Sequence, residues 1–173
     1  MAEIVDLFTR LRRPLKRTAE EGRQPAGTYY ARVSAWVGNN RGAFLMLRRA
    51  EDEIWTVPTV TVRTGETPFG AAKRAVAEQL GLGFAPTGTT PVAGVPTVDP
   101  ANARHYSSER RDNLGVFRDV YLFRGSAHIE DVRVDPEQFS DVAWLMPADI
   151  EQAYKDGLLD SFLEYYFDLI YPE

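Results

Sequence analysis

The stretch from Trp55 to Leu82 constrains the fold more than any other part of the chain. Thr56-Val57-Pro58-Thr59-Val60-Thr61-Val62 is rich in β-branched residues and reads as extended chain near 54–62, with the polar turn Arg63-Thr64-Gly65-Glu66 directly after it. Thr67 can then cap a helix, because its hydroxyl accepts hydrogen bonds from the first free amides. Pro68 supplies a preset φ at the first helical position, and Gly81 stands where a left-handed residue closes the helix. The order strand, loop, capped helix predicts a sheet with helices packed on it.

Patterning elsewhere agrees with an α/β or α+β class. Ala31, Val33, Ala35 and Val37 alternate over 30–37, and the turn Gly38-Asn39-Asn40-Arg41-Gly42 leads into an apolar run at 43–47, which predicts a close strand pair. Further strands are expected at 116–123 and 142–146, with helices at 148–156 and 161–170. Residues 83–114, rich in Gly, Pro, Thr and Asp and containing the polar run at 104–113, read as a broken strand and a long exposed loop. In residues 1–23, Ile4, Val5, Phe8, Leu11 and Leu15 recur at three-to-four-residue spacing. This predicts a short amphipathic helix ended or kinked by Pro14, an N-terminal extension to one domain at 24–173. Its basic face suits a packing helix with solvated arginines; a targeting peptide is disfavoured by Glu3, Asp6, Glu20 and Glu21.

Composition removes several classes of function. The chain has 173 residues, no cysteine and a net charge of −5. Disulfides, thiolate metal sites and cysteine nucleophiles are excluded, and no apolar run approaches the roughly 18 residues of a membrane span. An acidic chain is also a poor match for nucleic acid or anionic membrane, so a small molecule in the cytosol is the expected partner and setting. No P-loop, His-Glu-x-x-His or dinucleotide fingerprint occurs, and neither histidine, His105 or His128, stands in a triad context.

Gly65-Glu66-Thr67-Pro68 and Ala71 to Leu82 resemble the Nudix box, G-x5-E-x7-R-E-U-x-E-E-x-G-U with U apolar: Glu66, Arg74, Val76, Glu78, Gly81 and Leu82 fall in register without a gap. Trp55-x-x-Pro58, the 42–49 strand, the polar insertion before Phe117 and Asp141-Val142-Ala143-Trp144 extend the resemblance over about 28–157, and are similar to the isopentenyl diphosphate isomerase-like subgroup. The resemblance implies an α/β/α sandwich with a mixed sheet between helices. It also implies a hydrolase that uses magnesium or manganese to neutralise a diphosphate and activate water. The isomerase reaction itself is disfavoured, since that branch uses a cysteine for proton transfer.

Carried over residue by residue, the resemblance gives Glu78, Glu66 and Arg74 as catalytic candidates and Glu78, Gln79 and Asp119 as metal candidates. Three positions depart from the family: Ala75 and Gln79 stand where glutamates are usual, and Thr59-Val60 replaces a glycine pair. Gln79 remains a weaker oxygen ligand. Asp119 interrupts an apolar β run and reads either as a substitute ligand or as an outward polar residue. Glu66 and Arg74 fit a loop-to-helix ion pair as well as a catalytic role. Arg48, Arg49 and Arg63 could meet a diphosphate through the planar guanidinium fork, and His105, Tyr106 and Arg110 could touch a base or sugar. The expected function is hydrolysis of a diphosphate-linked metabolite, a nucleoside diphosphate derivative, at a weakened metal site. The alternative is a domain that binds such a ligand without turnover. The apolar termini also allow a homodimer.

Overall fold

The computed structural model describes residues 2–84, 97–125 and 127–163. Its elements in chain order are β1 (Ile4–Phe8), β2 (Pro14–Glu20), β3 (Tyr30–Gly38), β4 (Phe44–Arg49), β5 (Trp55–Thr56), β6 (Thr59–Thr61), α1 (Pro68–Leu80), β7 (Gly83–Phe84), β8 (Thr97–Arg111), β9 (Val116–Gly125), β10 (Phe139–Leu145) and α2 (Pro147–Lys155). The main sheet runs β10-β4-β3-β9-β8-β7, with β5 paired to β4 and β6 to β3. It is mixed: β3 and β9 run parallel from Tyr30↔Val116 to Gly38↔Arg124, whereas β6 and β4 meet β3 antiparallel.

β3 is buried on both faces, and this sets the layering. Ala31, Val33, Ala35 and Val37 pack on one side in a cluster that includes Ala71, Ala72, Ala75, Val76 and Leu80 of α1. Trp36 faces the other way, with Met46, Val57, Val120 and the α2 residues Ile150 and Ala153. The mixed sheet thus lies between two helices. Helix α1 keeps the expected bounds: the Gly70 amide donates to Thr67 Oγ1 at 3.0 Å, and Gly81, at φ 66°, donates its N–H to the Ala77 carbonyl. Among the described residues no helix is long and apolar enough to cross a membrane.

The structure corrects the sequence reading at four places. Residues 4–20 form an antiparallel hairpin, not a helix, with Ile4 opposite Glu20 and Phe8 opposite Pro14. Val5 and Leu7, at 0% and 1% exposure, alternate inward and share a small core with Tyr30 and Val116. Burying two such side chains contributes about 1.5–3 kcal/mol each, more than an isolated helix of this length could gain. Residues 104–111 lie on β8, antiparallel to β9, where ladder bonds satisfy the backbone and one face can stay polar. The strand expected at 54–62 is split into β5 and β6 around Val57-Pro58, Pro58 having no amide to donate. Residues Ser161–Leu163 form a single 3-10 turn, and the rest of the helix expected at 161–170 lies outside the described residues.

Candidate functional site

The box loop is fastened to α1 by one arginine. Arg74 Nε and Nη2 donate to the two Glu66 oxygens at 2.9 and 3.0 Å, Nη2 also donates to the Thr61 carbonyl at 2.7 Å, and the Arg63 amide donates to Glu66 at 3.1 Å. The Arg74 hydrogen bonds hold the Glu66 carboxyl below its ordinary value of 4.5, against the opposing effect of partial burial. A carboxylate kept ionised in this way is a weak proton acceptor near neutral pH, so the geometry places Glu66 and Arg74 in a loop-to-helix clamp. Glu78, one turn on, is half-exposed and meets Arg74 Nη1 at 3.4 Å.

Gln79 is committed elsewhere. Its Nε2 donates to the Thr59 carbonyl at 2.9 Å and its Oε1 accepts the Thr59 amide at 3.3 Å. The side chain thus binds β6 as a neighbouring strand would, using both ends of its amide. Ala75 is fully buried and Val60 nearly so, both in the cluster beneath α1. Neither position offers an oxygen ligand.

Above these residues lies a cleft of about 460 Å³ lined by Glu3, Glu21, Arg32, Thr59, Val60, Thr61, Arg63, Arg74, Glu78, Gln79, Asp135 and Gln138. Two of its carboxylates come from the N-terminal segment. Glu3 receives Arg63 Nε and Nη2 at 2.9 and 3.0 Å, and these bonds lower its pKa. Glu21 accepts from Thr61 Oγ1 at 2.6 Å and lies 3.6 Å from Arg32. Asp6 binds the loop as well, through Thr64 Oγ1 at 2.6 Å and the Gly65 amide at 3.0 Å. The hairpin therefore forms one wall of the cleft and holds the box loop.

Of the other candidates, Arg63 shares the cleft with Glu78 and the rest lie outside it. Asp119 is neither outward-facing nor part of the cleft: it is 2% exposed and accepts a two-armed ion pair from Arg12, one arm at 2.6 Å, and the Ser108 hydroxyl at 2.6 Å. His105 Nε2 meets the same hydroxyl at 2.8 Å, and its ring packs edge-on to Tyr121. Tyr106 packs against the cluster around Trp36, on the other side of the sheet from α1. Arg110 is bonded to Asp112 at 2.7 Å, and the Tyr29 hydroxyl donates to the same carboxylate. Arg48 contacts Ser140 and the Trp55 ring, Arg63 is held by Glu3, and Arg49 pairs with Asp52 and approaches Asp160 at 3.7 Å. Among the described residues no three His, Asp or Glu side chains are grouped to hold a metal ion.

Charged residues of the cleft and of the cavity beside it that were missed from sequence are Glu3, Glu21, Arg32, Arg118, Asp135 and Asp160. The first two sat in a segment read as a separate helix. Arg32 and Arg118 did carry a signal, since each interrupts an apolar strand as Asp119 does.

The NUDIX domain family model matches residues 28–166, leaving the hairpin outside it. The crystal structure of DR0079 from Deinococcus radiodurans is similar over 98% of this chain and 99% of that one, at 20% identity and a TM-score of 0.69. A NUDIX hydrolase from Nitrosomonas europaea is similar over 77% of this chain and 81% of its own, at 16% identity and a TM-score of 0.50. These likenesses concern the fold. No curated protein matches the sequence. With the family match spanning most of the chain and the clamped loop and helix in place, the chain belongs to the NUDIX domain family.

Proposed function

We propose that this chain binds a diphosphate-linked metabolite, a nucleoside diphosphate derivative, in the cleft between β6 and α1 and hydrolyses it at a weakened metal site. One observation carries the reading: the Glu66–Arg74 clamp is complete and presents Glu78 as a half-exposed carboxylate on the wall of an open cleft. The donor set does not fit a resident metal cluster, because Ala75 has no oxygen and Gln79 has both amide ends on Thr59. It fits one magnesium or manganese ion shared between Glu78 and the ligand's phosphates, since magnesium commonly takes one or two carboxylates plus substrate oxygens. When bound, such an ion neutralises diphosphate charge and lowers the pKa of water.

The chain's own contribution is positional. Arg74 and Glu66 hold the loop, and Glu3 and Glu21 bring carboxylates to the cleft wall, each beside an arginine. A second reading, binding without turnover, is favoured by the two hydrogen bonds that commit the Gln79 amide to the Thr59 backbone. Phosphorus NMR with ADP-ribose, nucleoside triphosphates and nucleotide sugars, with and without magnesium or manganese, separates the two. Metal-dependent product that disappears in Glu78→Ala supports hydrolysis. Ligand binding with no product from any substrate supports the second reading.

A further inference from the structure

The hairpin and the turn after it bring two carboxylates to the cleft, and each lies on groups suited to an anion. Glu3 takes the fork of Arg63 with both oxygens, from Nε at 2.9 Å and from Nη2 at 3.0 Å. This is the geometry in which a guanidinium receives two phosphoryl oxygens. Glu21 accepts from the Thr61 hydroxyl at 2.6 Å and lies 3.6 Å from Arg32 Nη1. Thr61 and Arg32 are register partners on β6 and β3, so their side chains share one face of the sheet. Arg63, Thr61 and Arg32 all line the cleft that holds Glu78.

Neither contact is a tight structural bond. Glu21 leaves its place incomplete, since Arg32 Nε is buried with no hydrogen-bond partner among the described residues. Such a donor carries a desolvation cost that one more oxygen relieves, and a phosphoryl group brings more acceptor oxygens than a carboxylate. The Arg63 and Glu3 side chains are 45% and 35% exposed, and ion pairs open to water contribute little. The hairpin does not depend on either contact for its place. Val5 and Leu7 are buried with Tyr30 and Val116, Arg12 pairs with Asp119, and Asp6 holds the box loop through Thr64 and Gly65. Glu3 and Glu21 can leave their partners while the hairpin stays docked.

We propose that Glu3 and Glu21 are built-in occupants of a phosphoryl subsite formed by Arg63, Arg32 and Thr61, and that the metal-bound diphosphate of the ligand displaces them. The inference rests on the reading of the cleft as a diphosphate site and adds regulation to it. The ligand competes with the chain's own carboxylates, so its apparent affinity is reduced by the fraction of molecules in which they are seated. Phosphorus NMR titration of the full chain with methylenediphosphonate and magnesium tests this, because the probe carries the diphosphate charge without a bridging oxygen to cleave. Glu3→Gln and Glu21→Gln keep the side-chain shape, and each is expected to tighten binding by about fivefold, the upper range for an exposed ion pair. Arg63→Gln weakens binding, and in that background Glu3→Gln is expected to change nothing, because the group it uncovers is gone. Asp135→Asn removes a cleft carboxylate that has no ion pair among the described residues, and it controls for charge alone. Melting curves check that each variant folds. Equal tightening by Asp135→Asn, or an undiminished gain from Glu3→Gln without Arg63, overturns the proposal in favour of general repulsion. Weaker binding in Glu3→Gln or Glu21→Gln would make these carboxylates metal ligands and overturns it too. Binding that is lost in Glu78→Ala but indifferent to Glu3→Gln and Glu21→Gln overturns the proposal and leaves the cleft reading standing, whereas no binding by the parent or any variant overturns both.

Discussion

Replacing Arg12 by alanine should cost far more than its place in a surface hairpin suggests. Its guanidinium donates two hydrogen bonds to Asp119, whose side chain is 3% exposed, and lies 5.1 Å from the Phe117 ring centroid. Without Arg12, the Asp119 carboxylate keeps the Ser108 hydroxyl at 2.6 Å and a His105 nitrogen at 3.9 Å. Removing one partner of a buried ion pair leaves the other charge uncompensated and costs about 3–5 kcal/mol. At about 2–4 °C per kcal/mol for a chain of this size, the melting temperature should fall by roughly 6–20 °C. Backbone strain does not confuse the comparison, because Arg12 sits at φ 62° and alanine bears a similar penalty there. The decisive measurement is urea denaturation of Arg12→Ala with and without Asp119→Asn. The asparagine removes the stranded charge and keeps an acceptor for Ser108, so the double variant should recover at least half the loss. Hydrogen exchange across 4–20 would show whether the damage starts with the hairpin. A single variant within about 0.5 kcal/mol of the parent, or no recovery in the double variant, would refute the argument.

Acid should release the box loop before it unfolds the sheet. Glu66 and Glu3 have pKa values lowered by Arg74 and Arg63, so their stabilisation is complete above the ordinary 4.5 and is lost as pH falls through the lowered folded values. Amide protection at 63–66, corrected for intrinsic exchange, should decline below pH 4.5 and lose that dependence in Arg74→Ala; protection unchanged at pH 3 would contradict it. Gly81→Ala should cost about 2 kcal/mol in urea denaturation, since the residue lies at φ 66° and a Cβ would come 2.7 Å from Arg133 Cβ; a loss under about 0.5 kcal/mol would show that the Arg133 segment yields freely.

What could be read from sequence was what local chemistry decides. The bounds of α1 follow from Thr67, Pro68 and Gly81, each acting on its own neighbours, and the face of β3 that packs under α1 follows from the alternation of Ala31, Val33, Ala35 and Val37. The hairpin escaped because Val5 and Leu7 give only one period of alternation, while Ile4, Phe8, Leu11 and Leu15 happen to match a helical spacing. Its stability comes from Tyr30 and Val116 and from Arg12 meeting Asp119, 107 residues away. The polar run at 104–113 read as loop because polarity was taken for irregularity; pairing with β9 needs only backbone groups, which every residue carries.

The box substitutions read differently in three dimensions than in sequence. As letters, Ala75 and Gln79 are two lost carboxylates. In the fold, Ala75 is a fully buried contact beneath α1, and Gln79 is the hydrogen-bonded tie between α1 and β6. A glutamate at 79 would still accept the Thr59 amide but would turn a second oxygen toward the Thr59 carbonyl, where the amide now donates. A glutamate at 75 would have to enter a space closed by packed hydrocarbon, where an unpaired charge is strongly disfavoured. The two positions have thus become parts of the scaffold. The charged groups that remain open to a ligand lie around them, with Glu78 and the hairpin carboxylates lining the cleft on one side and the arginines of β3, β4 and β9 lining the adjoining cavity on the other.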